Sequence, residues 1–347
     1  MQWPWKRTGS QDQLIVSWNG QSLAYVEASQ DGAAFKVLRM GVEHAGTESP
    51  KDFADRLIGQ GLGARNVVAM LGLEQSMLLQ IPAPAVPPEE LRSAVRYQIR
   101  DMVDMHIDDL TLDVLRVGDG QDRSAGQLFV VAAANTMVRN VQQLADEMEW
   151  SCRVIDVQEM AQRNLQSAWA KANGFGTRAT ALLMLVNERQ ALLTITANEE
   201  LYYSRRLDLP SDFLTMQWDG GLEASPAVDA YTPVDEYVPD YGGAAAHFGT
   251  EDASAGGNDR AQRFLVEVQR SMDLWDRTWT NLPMAGLGVY AGLRSEELAE
   301  WLTRGLGHAV LPFDPANLFE GVPTLGALEG LQCLPLLGLL FRTGEGS

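Results

Sequence analysis

The alternation of apolar and polar residues near the start of the chain predicts a β-hairpin. LIVSW, from Leu14, is typical of a buried strand, Asn19 and Gly20 form a polar turn, and SLAYVEAS, from Ser22, alternates as a second strand. A strand-like run (FKVLRM), a helix-like stretch (PKDFADRLIGQGL) and a buried-strand pattern (NVVAMLG) follow. Strands and helices in this order predict an α/β layer.

A different pattern begins at Ser76 and predicts a small inserted subdomain. SMLLQIP is strand-like, PPEELRSAVRYQIRDMVDM is an amphipathic helix, and LTLDVLRV and QLFVVAAA are two further strands. Pro87 and Pro88 stand at the helix start, and Glu89 and Glu90 complement the helix dipole in the first turn. We expect one helix covering a small sheet.

The second half of the chain repeats the opening pattern. A helix, a strand and a helix (NTMVRNVQQLADEMEW, SCRVIDV, QEMAQRNLQSAWAKA) lead to a break at Gly174 to Gly176. TALLMLVNERQALLTITANEELYYSRRLDL then predicts three strands with turns at Asn187 and Asn198. Two halves that each begin with a strand, a turn and a strand indicate an internally duplicated fold.

Residues 211–259 have a different composition from the rest of the second half. They contain no Lys or Arg and are rich in Asp, Glu, Gly, Ala and Pro. Such a segment buries too little apolar area to offset the entropy of ordering it, so we interpret it as a disordered or weakly ordered acidic insertion. A helix (RAQRFLVEVQRSMDLWDRT), a strand (AGLGVYAGL) and two further helices (EELAEWLTRGL and LQCLPLLGLLFRT) are predicted after it.

Charge narrows the classes of partner, and cysteine usage indicates the redox compartment. The 347 residues carry 46 acidic and 27 basic side chains, a formal charge of -19, which disfavours nucleic acid and favours basic protein segments. Cys152 and Cys333 are predicted to be reduced core residues, as in a cytoplasmic protein.

The N-terminal sequence predicts neither a secretory signal nor a membrane span. MQWPWKRTGS has no apolar core, and the late apolar run LPLLGLLF is too short to cross a bilayer. Two interpretations of the tail stay open: its two tryptophans, Lys6 and Arg7 touch a membrane surface, which would make the protein peripheral, or the tail is simply polar.

The sequence offers little catalytic chemistry. The four histidines share no ligand-like spacing with each other or with a cysteine, so we predict no metal site. GxSxG, GxxxxGK[ST] and a GxGxxG after a strand are all missing from the sequence. The acidic pairs Glu89–Glu90 and Asp108–Asp109 are interpreted as charges at helix starts.

Three long segments resemble the PilM family. They are LLQIPAPAVPPEELRSAVRYQIRDMVDMHIDDLTLDVLRV, FVVAAANTMVRNVQQLADEMEWSCRVIDVQEMAQRN, and VLPFDPANLFE with LPLLGLLFR. The divergent branch found in mannose-sensitive (MSHA) pilus systems, the MshI proteins, is the most similar. The resemblance implies an α/β, duplicated actin-like fold related to FtsA, with a small inserted α+β subdomain.

The resemblance also implies a division of the chain into domains. We expect a tail at 1–13, an actin-like subdomain 1A at 14–75 that returns at 132–175, an inserted subdomain 1C at 76–131, and subdomains 2A and 2B at 176–347. The acidic insertion at 211–259 lies within the last range.

The family resemblance places a nucleotide site in the turns of the two halves, and this chain departs from the family pattern there. The first Asp and Gly fall on Ser17 and Asn19, and the second pair on Leu185 and Asn187. Of the A-G-G segment for adenosine, Ala291 and Gly292 remain. Because glycines admit phosphate and carboxylates hold Mg²⁺, we expect no cofactor and a degenerate, non-catalytic site. The alternative is a working ATPase that takes its carboxylates from Asp156 and Glu159.

The resemblance further implies a partner. PilM proteins bind the cytoplasmic tail of an inner-membrane pilus component, a PilN-like protein, within the type IV pilus assembly platform at the cytoplasmic face of the inner membrane. We predict that Leu79, Ile81, Tyr97 and Arg100 line the groove for this tail. The cytoplasmic component of a type II secretion platform is the other alternative, and the sequence leaves the oligomeric state open.

Overall fold

The computed structural model describes residues 12–32, 34–118, 126–218 and 257–342. The strands are β1 (Gln13–Trp18), β2 (Ser22–Asp31), β3 (Ala34–His44), β4 (Asn66–Leu71), β5 (Ser76–Pro82), β6 (Leu110–Arg116), β7 (Gln127–Ala134), β8 (Ser151–Val157), β9 (Ala179–Leu185), β10 (Gln190–Ala197), β11 (Glu200–Asp208), β12 (Met284–Tyr290), β13 (Val310–Pro312) and β14 (Phe319–Glu320). The helices are α1 (Pro50–Gly59), α2 (Leu91–Ile99), α3 (Asn135–Glu147), α4 (Gln158–Ala172), α5 (Gly257–Thr278), α6 (Ser295–Leu306) and α7 (Ala327–Leu337).

The chain divides into two compact units. One comprises Met1–Ser76, Asn135–Gly176 and Asp314–Ser347, and the other comprises Met77–Ala134 and Thr177–Phe313. The first unit holds a six-stranded sheet in the order β14-β3-β2-β1-β4-β8, and the second holds a five-stranded sheet in the order β11-β10-β9-β12-β13. None of the helices in the described ranges is long and apolar enough to span a bilayer.

The two larger sheets share the same local plan. In the first, β1 pairs antiparallel with β2 and parallel with β4. In the second, β9 pairs antiparallel with β10 and parallel with β12. Strands β1 and β9 are central in their sheets and buried on both faces, which is why residues 14–16 and 181–185 are runs of apolar residues without alternation.

The second unit also contains the three-stranded sheet β5-β7-β6, which is covered by α2. Val95 and Ile99 of α2 pack against Leu79, Ile81 and Val130 in a small core of its own. The apolar positions of α2 recur four residues apart, so they lie on one face of the helix and cover the sheet.

The C-terminal segment belongs with the first unit, whereas the sequence interpretation assigned it to the second half. Phe319 of β14 pairs with Phe35 of β3, and α7 packs on β2 and β3. The buried Cys333 thiol donates to the Gly41 carbonyl at 3.3 Å. Long-range strand pairing and burial of the apolar α7 decide this assignment, and neither can be derived from position in the sequence.

The start of the predicted acidic insertion is packed. Phe213 and Trp218 are almost completely buried, with ring centroids 5.3 Å apart. Phe213 lies 4.7 Å from Phe264 of α5, and Trp218 lies 6.4 Å from Trp301 of α6. These aromatic side chains supply the buried apolar area that the surrounding polar residues do not provide. Residues 219–256 of the predicted insertion lie outside the described residues.

Candidate functional site

The turn between β1 and β2 is closed by one of its own side chains. Asn19 Oδ1 accepts hydrogen bonds from the backbone N–H groups of Gln21 at 2.9 Å and Ser22 at 2.8 Å. Gly20 adopts a φ of 93°, which a glycine permits without strain. The family resemblance assigns phosphate to the backbone N–H groups of this turn, and the Asn19 amide oxygen accepts from two of them.

A second amide ties the end of β1 to the end of β4. Gln75 Nε2 donates to the Trp18 carbonyl at 2.7 Å, and Gln75 Oε1 accepts from the Gly72 N–H at 3.0 Å. The Trp18 ring stacks on Phe53 at 5.2 Å. Because β1 and β4 are parallel, their carboxyl ends meet at one edge of the sheet, and Gln75 cross-links that edge.

The two alternative carboxylates lie at the end of β8 and in the first turn of α4. Asp156 forms an ion pair with Arg342 and accepts from the Val157 N–H at 2.8 Å. Glu159 lies in the first turn of α4 with 1% of its surface exposed. Among the residues that the structure describes, no group of three or more His, Cys, Asp or Glu side chains is arranged to hold a metal ion.

The turn between β9 and β10 is closed in the same manner as the first. Asn187 Oδ1 accepts from the Arg189 N–H at 2.8 Å, and the Val186 N–H donates to the Gln190 carbonyl at 2.9 Å. Leu185, the position that the resemblance gives to the second Asp, is completely buried in β9, whereas Ser17 is half-buried in β1. A carboxylate at Leu185 would lie in an apolar interior.

The segment at Gly292 leads into α6 through a closed turn. Gly292 has a φ of 61°, the Ser295 hydroxyl donates to its carbonyl at 2.7 Å, and the Ala291 N–H donates to Ser295 Oγ at 2.9 Å. Leu293, which replaces the second glycine of the family segment, has 72% of its surface exposed.

Arg294, which the sequence interpretation did not single out, holds the packed segment that precedes residue 219. Its guanidinium donates to the carbonyls of Leu214 at 2.6 Å and Met216 at 2.8 Å. It also lies 3.8 Å above the Trp218 ring and pairs with Glu297, whose pKa it lowers. The only signal in the sequence is an Arg three residues before a Glu, which predicts a helical ion pair and not the contacts with Leu214 and Met216.

The four predicted partner-binding residues separate into two classes. Leu79 and Ile81 each have 1% of their surface exposed and belong to the core beneath α2. Tyr97 is 74% exposed, and Arg100 lies with its guanidinium carbon 5.2 Å from the centre of the Tyr97 ring. The surface available to a partner therefore includes Tyr97 and Arg100, while Leu79 and Ile81 support the sheet behind it.

The residues after α2 continue this surface with acidic side chains. Asp101, Asp104, Asp108 and Asp109 are all exposed, as is Met105. The ion pairs Arg100–Asp101 at 3.2 Å and Arg96–Asp108 at 3.4 Å are exposed to solvent and so weakly held. We call Tyr97, Arg100 and the loop 101–109 the α2 surface.

Comparison with known proteins identifies the fold. No protein-family model matches the chain, and no curated protein matches it either. Among solved structures, 95% of this chain superimposes on 98% of a chain from a "PilM-PilN type IV pilus biogenesis complex", with a TM-score of 0.63 and 18% identity.

Two further solved structures are similar at lower scores. The cytoplasmic domain of EpsL, an inner membrane component of the type II secretion system of Vibrio cholerae, has 12% identity and a TM-score of 0.41, over 57% of this chain and 71% of that one. A Bacteroides thetaiotaomicron protein with an actin-like ATPase fold and unknown function has 8% identity and a TM-score of 0.48, over 89% and 93%.

The chain therefore has an α/β, duplicated actin-like fold with a small inserted subdomain, as the sequence predicted. It shares this fold with the chain from the pilus biogenesis complex. At 18% identity the likeness concerns the fold alone.

Proposed function

We propose that this protein is a non-catalytic, actin-like scaffold of a type IV pilus assembly platform. It works at the cytoplasmic face of the inner membrane and binds the cytoplasmic tail of a PilN-like protein. The observation that carries the proposal is the likeness of fold to a chain of the PilM–PilN complex over nearly the full length of both chains. The assignment to an MSHA-type system is supported by the sequence resemblance to MshI proteins.

The α2 surface is the proposed contact for the partner tail. It combines an exposed aromatic ring with a cluster of exposed carboxylates on a chain whose formal charge is -19. Segments on the cytoplasmic side of a membrane span tend to be rich in Lys and Arg. A short apolar peptide bearing cations would match this surface in both respects.

The proposed absence of catalysis is based on the hydrogen bonds within the two hairpin turns. In the first turn Asn19 accepts from two of the backbone amides to which the resemblance assigns phosphate, and in the second turn Asn187 accepts from one. Binding a phosphate there would require these internal hydrogen bonds to break, and Ser17 and Leu185 stand where the resemblance puts the carboxylates that hold Mg²⁺. Losing about three charge-assisted contacts weakens nucleotide binding by roughly three to six orders of magnitude.

A peptide-binding experiment tests the proposed contact. The probe is a synthetic peptide with the cytoplasmic tail sequence of the candidate PilN-like protein, titrated by calorimetry. Tyr97→Ala is expected to weaken binding at least about tenfold, because exposed aromatic residues are frequent hot spots. Leu328→Ala is the matched control, since Leu328 is an exposed apolar residue of the first unit at 44% exposure.

The circular dichroism spectrum of Tyr97→Ala should match that of wild type because the ring lies outside the core. Wild-type affinity in this variant would place the contact elsewhere. No binding by the wild-type protein would contradict the choice of partner.

A nucleotide titration tests the non-catalytic part. We expect Mg-ATP at millimolar concentration to leave the thermal melting temperature unchanged. A saturable shift with micromolar affinity would favour the working ATPase instead. Because this experiment does not involve the partner peptide, its outcome leaves the tail-binding proposal intact.

A further inference from the structure

Among the described residues, the segment that follows β6 connects the inserted three-stranded sheet to the five-stranded sheet of the same unit. Immediately after β6, the Gly118 N–H donates to the Leu201 carbonyl of β11 at 2.7 Å. Val117, next to it, is completely buried and still pairs with β7 through the Gln127 carbonyl at 3.3 Å. The contact therefore continues directly from the β6–β7 ladder.

A β-bulge in β11 forms the other side of this contact. Along the β10–β11 ladder Ile195 pairs with Tyr203 and Thr196 with Leu201, so Tyr202 is the extra residue. A bulge breaks the regular ladder and re-aims the groups beside it. Here the Leu201 carbonyl, beside the bulge, accepts from the Gly118 N–H.

Gly118 and the Tyr202 ring fit together so closely that no side chain can stand between them. A Cβ atom at Gly118 would lie 2.4 Å from Tyr202 Cε1 and 2.5 Å from Cζ. Gly118 also has a φ of 59°, in the left-handed region. Two independent requirements, the close approach and the backbone angle, thus select glycine at this position.

The Tyr202 ring is fixed from behind by two tryptophans. It is 2% exposed and makes edge contacts with Trp275 at 6.0 Å and Trp279 at 5.1 Å. The Trp275 indole N–H donates to the Leu282 carbonyl at 2.9 Å, which holds that ring in place at the end of α5. The backbone at Gly118, just after β6, therefore packs against a buried aromatic cluster.

We infer that Gly118 and Tyr202 form a fixed joint that makes the inserted subdomain and the five-stranded sheet move as one body. The α2 surface is connected to this joint through packing, because Ile99 and Val95 of α2 contact the core that Val114 of β6 also joins. Binding of a partner tail to the α2 surface then also stabilises β11 and α5. This last step rests on the proposed function, while the joint itself does not.

Hydrogen–deuterium exchange on the full chain without a partner tests the joint. Tyr202→Ala removes the ring, and Gly118→Ala drives a methyl group into it. Both variants are expected to lose at least about tenfold protection at the amides of β6 and β7, because the subdomain then opens independently of the rest of the unit. Protection in the six-stranded sheet of the first unit should stay at the wild-type level.

Two glycine controls isolate the ring contact. Gly126→Ala lies in the same hairpin with nothing within 4 Å of the added Cβ, so wild-type exchange is expected. Gly32 has a φ of 61°, close to the 59° of Gly118, and nothing lies within 4 Å of an added Cβ. Gly32→Ala therefore reports the effect of backbone strain alone. In the Tyr202→Ala background, Gly118→Ala should add no more local loss than this strain.

Unchanged amide protection of β6 and β7 in both Gly118→Ala and Tyr202→Ala would contradict the inference of a fixed joint. A loss of protection across the whole unit in both variants would also overturn it, because the contact would then be ordinary core packing.

The partner arm uses the tail peptide of the binding experiment. In wild type, peptide binding is expected to raise protection in β11 and α5 as well as in α2, and in Tyr202→Ala only in α2. Protection confined to α2 in wild type would refute the transmission step. If the peptide binds nowhere, the proposed function fails while the exchange results in the free protein still decide the joint.

Discussion

The two hairpin turns that begin the two halves are built alike but sit in different surroundings. In the first, Asn19 accepts two backbone hydrogen bonds, and the strand position before it, Ser17, is half-buried. In the second, Asn187 accepts one, and Leu185 is completely buried. In both turns the Asn side chain accepts hydrogen bonds from the hairpin's own backbone. The strand positions differ because β9 is enclosed more fully than the end of β1.

The largest expected effect comes from placing a carboxylate in each strand. Leu185→Asp should destabilise the protein by more than about 4 kcal/mol, since a charge or an unpaired polar group is then buried, while Ser17→Asp should cost less than about 1 kcal/mol. Urea unfolding at neutral pH measures both. Leu185→Ala separates the cavity, at about 3 kcal/mol, from the charge. Equal costs for the two Asp variants would show that the two positions are equally enclosed.

The second comparison concerns one buried and one exposed ion pair. Glu27 of β2 is buried between Arg39 and Arg65. Burial acts to raise the pKa of Glu27, but the hydrogen bonds from Arg65 and Arg39 outweigh it and hold the pKa below its usual 4.5. In the second unit, Glu297 has its pKa lowered by Arg294 while its side chain is 43% exposed.

Glu27→Gln should therefore lower the free energy of unfolding by about 2 kcal/mol at pH 7, and Glu297→Gln by clearly less. A carboxylate with a lowered folded-state pKa contributes stability above its unfolded pKa and loses it as the pH falls through the folded value. The deficit of Glu27→Gln should accordingly shrink below pH 4.5. Denaturant unfolding between pH 7 and pH 3 is the measurement, and a deficit that does not change with pH would contradict the ionic origin.

The smallest effect is expected from the turn side chains. Asn19→Ala leaves two N–H groups without their acceptor and should cost about 1 to 2 kcal/mol, and Asn187→Ala should cost about half as much. Asn19→Asp keeps the acceptor oxygen and should retain most of the stability. Thermal unfolding of the three variants ranks them. If Asn187→Ala proves the more damaging, the hydrogen-bond count does not decide the strength of the turns.

Local patterns were sufficient to predict β1 to β12, the helices and both turns, but not the short strands β13 and β14. The hairpin at Asn19 and the repeat at Asn187 follow from alternation and turn residues, which act over a few neighbouring positions. The order of these elements carried the resemblance to the PilM family, and the comparison with solved structures confirms the fold that it implied. The predicted roles of Tyr97 and Arg100 stay predictions, although their exposure is compatible with them.

What the sequence by itself determined is most of the elements and their duplication, because each depends on short-range periodicity. It also determined that Ser17, Asn19, Leu185 and Asn187 stand at the positions that the family resemblance assigns to a nucleotide site, because this depends on residue identity alone. Only the tertiary structure decided that Leu79 and Ile81 belong to a core, that β14 and α7 complete the first unit, and that Trp218 and Arg294 close the start of the acidic segment. The tertiary structure alone also decided that Gly118 packs against the Tyr202 ring. These contacts join residues far apart in the chain, and their formation depends on strand pairing and shape complementarity that no local pattern encodes.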